Sequence, residues 1–493
     1  MKTLPLSRAT LGRLPTGVQR PAFDPAAVTP GIVHLGLGGF HRAHMARFTH
    51  NLMERRTDAL GWGIIGAGLL PADRKMYEAL GPQDGLYTLV ERSGTEEHVS
   101  VIGSICRVIH AGDGAAELLV AIDAPSIRIV SLTVTENGYC LNPATKRLDT
   151  AHALIQHDLA NPDSPKSAIG IITEAYRRRM VRGQAAFTAL SCDNIQHNGN
   201  VLRQAVLELA GMLDPALGRW IEREARFPNT MVDRITPVTA AEDVADLTRR
   251  TGIVDRWPVF SETFTQWVIE DDFPQGRPAW EDVGAQFVTD VSPYEFMKLR
   301  LLNASHLAVA GLGRLAGYTY IDETMRDDAL CRYMRALMDR ETGPTLPPVP
   351  GIDLAAYKAT LVERFANPTI KDTVERVNTD APLNVLVDPI RDRLKQGGSV
   401  DFLALALAAW LRRMRGEDEA GRPIEIRHPM ADELRARSLV GGGDPAPMLG
   451  IERLFGELAQ NAAFVAVVGK WLSSLYAVGA AATLARAETE LGF

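Results

Sequence analysis

The chain has 493 residues, too many for one hydrophobic core, and its 46% hydrophobic and 23% charged content is that of an ordinary globular protein. A net charge of −7 without a long basic stripe argues against a nucleic-acid surface. Four widely spaced cysteines, Cys106, Cys140, Cys192 and Cys331, form no Cys-x-x-Cys pair, which argues against a disulfide framework and a structural zinc site and suits a reducing cytoplasm.

The stretch from Met1 to Val18 has basic residues but no apolar core of signal-peptide length. The most apolar helical run, Phe402 to Leu411, is about half the ~20 residues a membrane span needs. The expectation is a soluble cytoplasmic protein with neither a membrane nor a nucleic-acid partner. The oligomeric state is left open, a monomer included.

Residues 1 to 30, rich in Pro and Thr, read as an irregular lead-in. Gly31-Ile-Val-His-Leu-Gly36 then gives a short strand, and Gly36-Leu-Gly38-Gly39-Phe40-His41-Arg42-Ala43-His44 opens a helix of roughly a dozen residues. Strand, glycine turn and helix suit a dinucleotide pyrophosphate, since glycines let the backbone approach and the helix N-terminus faces the phosphates. The third glycine of that pattern is replaced by His41, so strand and helix must pack by other means. His41 and His44, three apart, lack a carboxylate or cysteine at metal-ligand spacing, and no metal is expected.

The next strand is Gly61 to Leu69, closed by Pro71-Ala72-Asp73-Arg74-Lys75. An acid there takes the adenosine ribose hydroxyls and repels a 2′-phosphate, so Asp73 favours NAD; the spacing equally allows a helix cap, and Arg74 and Lys75 could neutralise a phosphate. Tyr87–Glu91 and Val99–Val108 read as a β excursion, and Ser126–Thr135 as a buried strand ending in Glu136. Glu136, at a strand's carboxyl end, either relays protons to a buried base or caps a turn. After the helix Ala168–Val181, the strand Ala185–Ser191 ends in Cys192-Asp193-Asn194, and Phe227–Pro237 carries Asp233-Arg234 into a turn, a pair that alone would be solvated.

From Tyr294 the apolar period is helical, over 294–317, 325–340, 354–366, 400–415, 448–459 and 462–490, with a Pro-rich loop at Gly343–Pro350. The expected architecture is α/β: a Rossmann-type dinucleotide-binding domain over 1–290 and a mainly α-helical substrate and catalytic domain over 291–493. In Tyr294-Glu-Phe-Met-Lys298-Leu-Arg-Leu-Leu-Asn303-Ala-Ser-His306, α-helical geometry sets Asn303 ~140° and His306 ~80° around from Lys298. All three then share one side, backed by Leu301, Leu302 and Leu307. A lysine shielded from water loses charge stabilisation and can act as general base, while an amide donor meets the forming alkoxide.

The glycine turn, Ser191-Cys-Asp-Asn194 with Met231-Val-Asp-Arg-Ile-Thr-Pro237, and Lys298 through His306 together resemble the polyol-specific long-chain dehydrogenases, most closely their mannitol dehydrogenase branch. The likeness runs from about residue 30 through the helical part. It implies metal-independent, NAD-dependent oxidation of a sugar alcohol to a ketose, D-mannitol to D-fructose being the type reaction. It implies Lys298 as general base, Asn194 and Asn303 as an oxyanion hole, and His306 as a substrate-positioning group. Asp233 and Arg376 would contact substrate hydroxyls, and Glu136 would exchange protons between the lysine and solvent. Gly36, Gly38, Gly39, Phe40 and Asp73 would hold the cofactor. The pattern's acidic residue before that aspartate is Ala72 here, which removes one charge that excludes NADP.

Other readings make different demands. Tyr294-x-x-x-Lys298 invites a short-chain dehydrogenase pair, which belongs in one compact domain much nearer the glycine turn. Within the family, a hexuronate reductase of fructuronate type or a hexitol-phosphate dehydrogenase would bring added positive charge to the pocket, Arg376 being one such group; a sorbitol- or arabinitol-preferring polyol dehydrogenase is a further alternative. A non-catalytic NAD sensor would leave a base and oxyanion set without use.

Overall fold

Short β-branched runs, apolar on both faces, pair in parallel to build the main sheet of the first unit. Its strands lie side by side in the order Ile105–His110, Gly63–Gly68, Pro30–Leu35, Ile129–Leu132, Thr188–Ser191. The chain winds outward from Pro30–Leu35 to one edge and then returns to the other side, so a topological switch point falls between Pro30–Leu35 and Ile129–Leu132. Dinucleotides bind at such a point in doubly wound sheets.

Alternation along each strand divides the side chains between two cores. Val33, Leu35, Ile65, Ala67, Val130 and Leu132 face a layer that includes the helices Ala168–Val181 and Asn198–Leu213. Ile32, Ile64, Ile129 and Leu190 face the helix Met45–Arg55 and the buried Trp267 and Trp280. The computed structural model describes residues 3–94, 96–143 and 145–493, in two compact units, Met1–Val291 and Ser292–Phe493.

Smaller sheets complete the first unit. Tyr87–Ser93 and Glu96–Ile102 form an antiparallel hairpin flanked by Val259–Glu262 and Val18–Gln19. The stretch Val99–Val108 is thus not one strand: it breaks at Gly103-Ser104, and its second half begins the edge strand of the main sheet. The lead-in is also more ordered than its composition suggests, since Leu4–Pro5 pairs with Ile253–Val254.

The second unit is helical throughout. Its core joins the helices Ala304–Ala316, Asp401–Arg413 and Ala462–Leu491 through residues such as Leu307, Leu312, Leu403, Leu407, Trp471 and Leu475. Sequence periodicity missed the helix Asn384–Lys395, because Pro389 lies inside it, and the helices Val374–Asp380 and Ala431–Gly441. By length and composition Ala462–Leu491 could cross a membrane. It is, however, broken at Gly479, whose φ is +80° and whose added Cβ would lie 2.5 Å from the Glu419 carboxylate.

Candidate active site

At the switch point the strand Pro30–Leu35 ends in Gly36, with φ +91° and room for no side chain: a Cβ would sit 2.1 Å from the Thr133 carbonyl oxygen. Gly38, in contrast, faces open space, where a Cβ would have no packing neighbour nearer than 3.9 Å. A glycine that packing does not demand fits a place where another molecule's phosphates approach the backbone. The helix that follows is shorter than its sequence suggests. Gly39–Ala43 ends at His44, whose φ of −115° and ψ of −94° break it from Met45–Arg55.

His41, in the third-glycine place, solves the packing problem by stacking. Its ring lies 3.4 Å from that of His34, centroid to centroid, with 16° between planes. His34 is held from the strand side by Ser131 Oγ at 2.8 Å and Thr133 Oγ1 at 2.9 Å. Burial pushes the His34 pKa down to about 3 and that of His41 well below its usual value, so the stack is a pair of neutral imidazoles. Phe40 stacks on His44, whose Nε2 meets the Gln266 carbonyl oxygen at 3.0 Å. Among the described residues no three His, Cys, Asp or Glu side chains gather as a metal site.

Asp73 lies over the end of the second strand, against Gly68, where an added Cβ would come within 2.5 Å of its Cβ. Its carboxylate accepts from the Leu70 N–H at 2.9 Å, and Ala72 beside it is exposed. Arg74 is already ion-paired to Asp113.

Beyond the fourth strand the backbone is unusual: Thr135 has φ +61°. Asp193 holds this loop by accepting from the Val134 N–H at 3.1 Å, the Thr135 N–H at 2.7 Å and the Tyr139 hydroxyl at 2.8 Å. Burial raises the Asp193 pKa, and the three donors oppose that rise. Sequence reasoning assigned Asp193 nothing; its one signal was position, an acid at a strand's carboxyl end beside Asn194. Asn194 follows it at the surface, and Glu136 is exposed and paired with Lys146 at 3.5 Å.

The Asp233-Arg234 pair is not a solvated turn. Both are 5% exposed, with Asp233 ending the strand Thr230–Asp233. Arg234 donates to the Glu262 carbonyl oxygen from Nε at 3.0 Å and Nη2 at 2.7 Å, and pairs with Glu91 at 2.5 Å. Its guanidinium therefore ties elements together.

In the second unit, Lys298 to Asn303 is π-helical between the α-helices Ser292–Met297 and Ala304–Ala316, and the Ala304 N–H reaches the Leu299 carbonyl, five residues back. In a π turn the backbone bond runs between residues i and i+5, so the turn is wider than that of an α-helix. Lys298 and Asn303 are five apart, so the widened turn brings them onto one face more closely than the ~140° expected of a regular α-helix. Lys298 is buried and Asn303 half-buried. Arg300 anchors another side of the turn, donating to the Thr345 carbonyl and pairing with Asp392 at 2.5 Å each.

Tyr294 donates its hydroxyl to the Pro350 carbonyl at 2.7 Å, and burial raises its pKa. A phenol so engaged does not suit a catalytic base, which removes the observation behind a short-chain Tyr-Lys pair. His306 stacks on Phe365 at 4.3 Å, and its Nε2 lies 3.4 Å from Asp372 Oδ2. Arg376 grips the same carboxylate, Nε to Oδ1 at 2.6 Å and Nη2 to Oδ2 at 2.5 Å, and reaches Asp380 through Nη1 at 3.3 Å. Asp372 was absent from the sequence expectations. It is the residue that joins His306 to Arg376.

Family models match both parts of the chain: the mannitol dehydrogenase Rossmann domain over residues 30–282 and the mannitol dehydrogenase C-terminal domain over 290–476. A D-mannonate oxidoreductase of Escherichia coli is 44% identical over 92% of this chain and 94% of its own length. A mannitol 2-dehydrogenase of Aspergillus fumigatus is 42% identical over 88% of each chain. Among solved structures, the Pseudomonas fluorescens mannitol 2-dehydrogenase ternary complex with NAD and D-mannitol aligns with a TM-score of 0.88 at 43% identity, covering 99% of this chain and 100% of the other.

Proposed function

The chain belongs to the mannitol dehydrogenase family, and from that premise we propose that it oxidises a sugar alcohol to the ketose with NAD, of the D-mannitol to D-fructose type. The observation that carries the proposal is the π turn, which aligns Lys298 with Asn303 on the helix that also bears His306. The relative solved with NAD and D-mannitol supports both the coenzyme and the substrate class.

Gly36, Gly38, Gly39 and Phe40 would hold the dinucleotide at the glycine turn, with Asp73 taking the ribose hydroxyls; a Gly36 with positive φ and no room for a side chain and an unpacked Gly38 fit that use. The nicotinamide, when bound, supplies the hydride acceptor. Lys298 takes the hydroxyl proton as free amine. The side-chain amides of Asn303 and Asn194 donate to the oxygen as negative charge grows on it, each such donor being worth roughly 10² to 10³ in rate. His306 orients the reacting hydroxyl. Asp233 and Arg376 meet hydroxyls further along the substrate, and Glu136, open to solvent, passes on the proton that Lys298 collects.

A second reading, oxidation of a sugar acid, draws on the relative named D-mannonate oxidoreductase at 44% identity. Initial rates of NAD and NADP reduction with mannitol, sorbitol, arabinitol and mannonate, and of reoxidation with fructose and fructuronate, test both. Turnover of none of them would refute the proposal.

A further inference from the structure

Two side chains of the second unit converge on one carboxylate. Asp372 receives two N–H bonds from Arg376 in a side-on fork and lies against His306, while Asp380 takes a third N–H of the same guanidinium. The carboxylate is 7% exposed and Arg376 is 50% exposed, so the ion pair has a covered and an open side. The backbone at Asp372 is fixed as well. Its carbonyl accepts from the Ile321 N–H at 2.9 Å, Thr373 bridges to Tyr320, and Lys371 just before it is held at φ +51°. A carboxylate fixed in this way serves as a reference point for the side chains it holds.

From this geometry we infer that Asp372 is a positioning and specificity-determining residue: it aims His306 and Arg376 and, by cancelling the arginine's charge, selects neutral sugar alcohols over sugar acids. The inference rests on the proposed role of Arg376 as a substrate contact. A guanidinium has five N–H bonds, of which Asp372 takes two and Asp380 one. The two that remain suit hydroxyl oxygens. They do not bring a net positive charge, because one cation faces two carboxylates. A substrate carboxylate arriving there meets like charge, which is costly where water is excluded. A receptor for sugar acids would leave the guanidinium unmatched for charge-assisted bonding. Relatives named for D-mannitol and for D-mannonate both occur among the proteins similar to this chain.

The test compares kcat/KM for D-mannitol and D-mannonate, with NAD, in wild type, Asp372→Asn and Asp380→Asn. Wild type should favour mannitol. Asp372→Asn should lower mannitol turnover, because His306 and Arg376 lose their aim. It should also move the mannitol-to-mannonate ratio toward mannonate by about tenfold or more, chiefly through KM for mannonate, as a like charge is withdrawn. Asp380→Asn, at an exposed side chain, should move the ratio in the same direction by less, and it decides the matter if the first variant fails to fold. A purely structural Asp372 would depress both substrates alike. An unchanged ratio in folded variants, or a wild type that favours mannonate, overturns the inference and leaves the oxidoreductase proposal standing. No turnover of either substrate by wild type overturns this inference, whereas the oxidoreductase proposal falls only if the other sugar alcohols and the ketoses are left unchanged as well.

Discussion

In the proposed coenzyme site, a single carboxylate at the end of the second strand would set the charge that an adenosine 2′-phosphate meets. Asp73 packs on Gly68 and already accepts from the Leu70 N–H, which leaves its carboxylate lone pairs for ribose hydroxyls. Ala72 adds no second charge, and Arg74 is engaged by Asp113. NAD should therefore be preferred, with measurable NADP activity. Asp73→Ala should raise kcat/KM for NADP and lower it for NAD, shifting the ratio by about tenfold or more as a like-charge contact and a hydrogen bond are lost together. If the ratio stays where it was, Asp73 only fastens the turn.

At the scale of elements, two π-helical turns matter most. The one at Lys298–Asn303 brings the proposed base and amide toward one face; the one at Met338–Thr342 buries Glu341, which accepts from the Phe402 N–H at 3.1 Å and the Leu403 N–H at 2.7 Å and so caps the helix Asp401–Arg413. Burial raises the Glu341 pKa from 4.5 to about 7. For an acid whose folded pKa is raised, the folded state keeps its proton where the unfolded state has lost it. Its contribution to stability is full below the unfolded value and is lost as pH climbs through about 7. The shift amounts to roughly 3 kcal/mol at most. Glu341→Gln should leave Tm near that of wild type at pH 5 and raise it at pH 8; parallel Tm curves would contradict this.

The α/β fold with a Rossmann-type first part was legible because strands such as Gly31–Leu35 carry buried β-branched residues into a glycine turn, and the family likeness rested on runs whose residue types are chemically unusual together. The widened turn at Lys298 was not legible, since a π bulge leaves the same apolar composition as an α-helix. Asp372 escaped notice because its partners, His306 and Arg376, are brought to it by tertiary packing rather than by a sequence motif.

For the molecule as a whole, each unit has its own core, the sheet-centred layers of the first and the helical cluster of the second. Since the proposed coenzyme contacts lie in the first unit and the proposed base in the second, ligand binding and chemistry should separate under mutation. Saturating NADH at about 100 times its Kd should stabilise the wild type and Lys298→Ala alike, by about 2.7 kcal/mol. Thermal shift with and without NADH checks this, and loss of the shift in the variant alone would place Lys298 in dinucleotide binding.

The most direct test of the account is the steady-state rate of NADH formation from a saturating sugar alcohol, D-mannitol first, by wild type and Lys298→Ala across pH 6 to 10. Wild type should turn over with a rate that rises through an apparent pKa above neutrality, as expected when only free amine takes the proton. The variant should lose about 10²-fold or more in kcat, the usual worth of a positioned general base. A variant with wild-type kcat at neutral pH, or a wild type that reduces no coenzyme with any sugar alcohol, would contradict it.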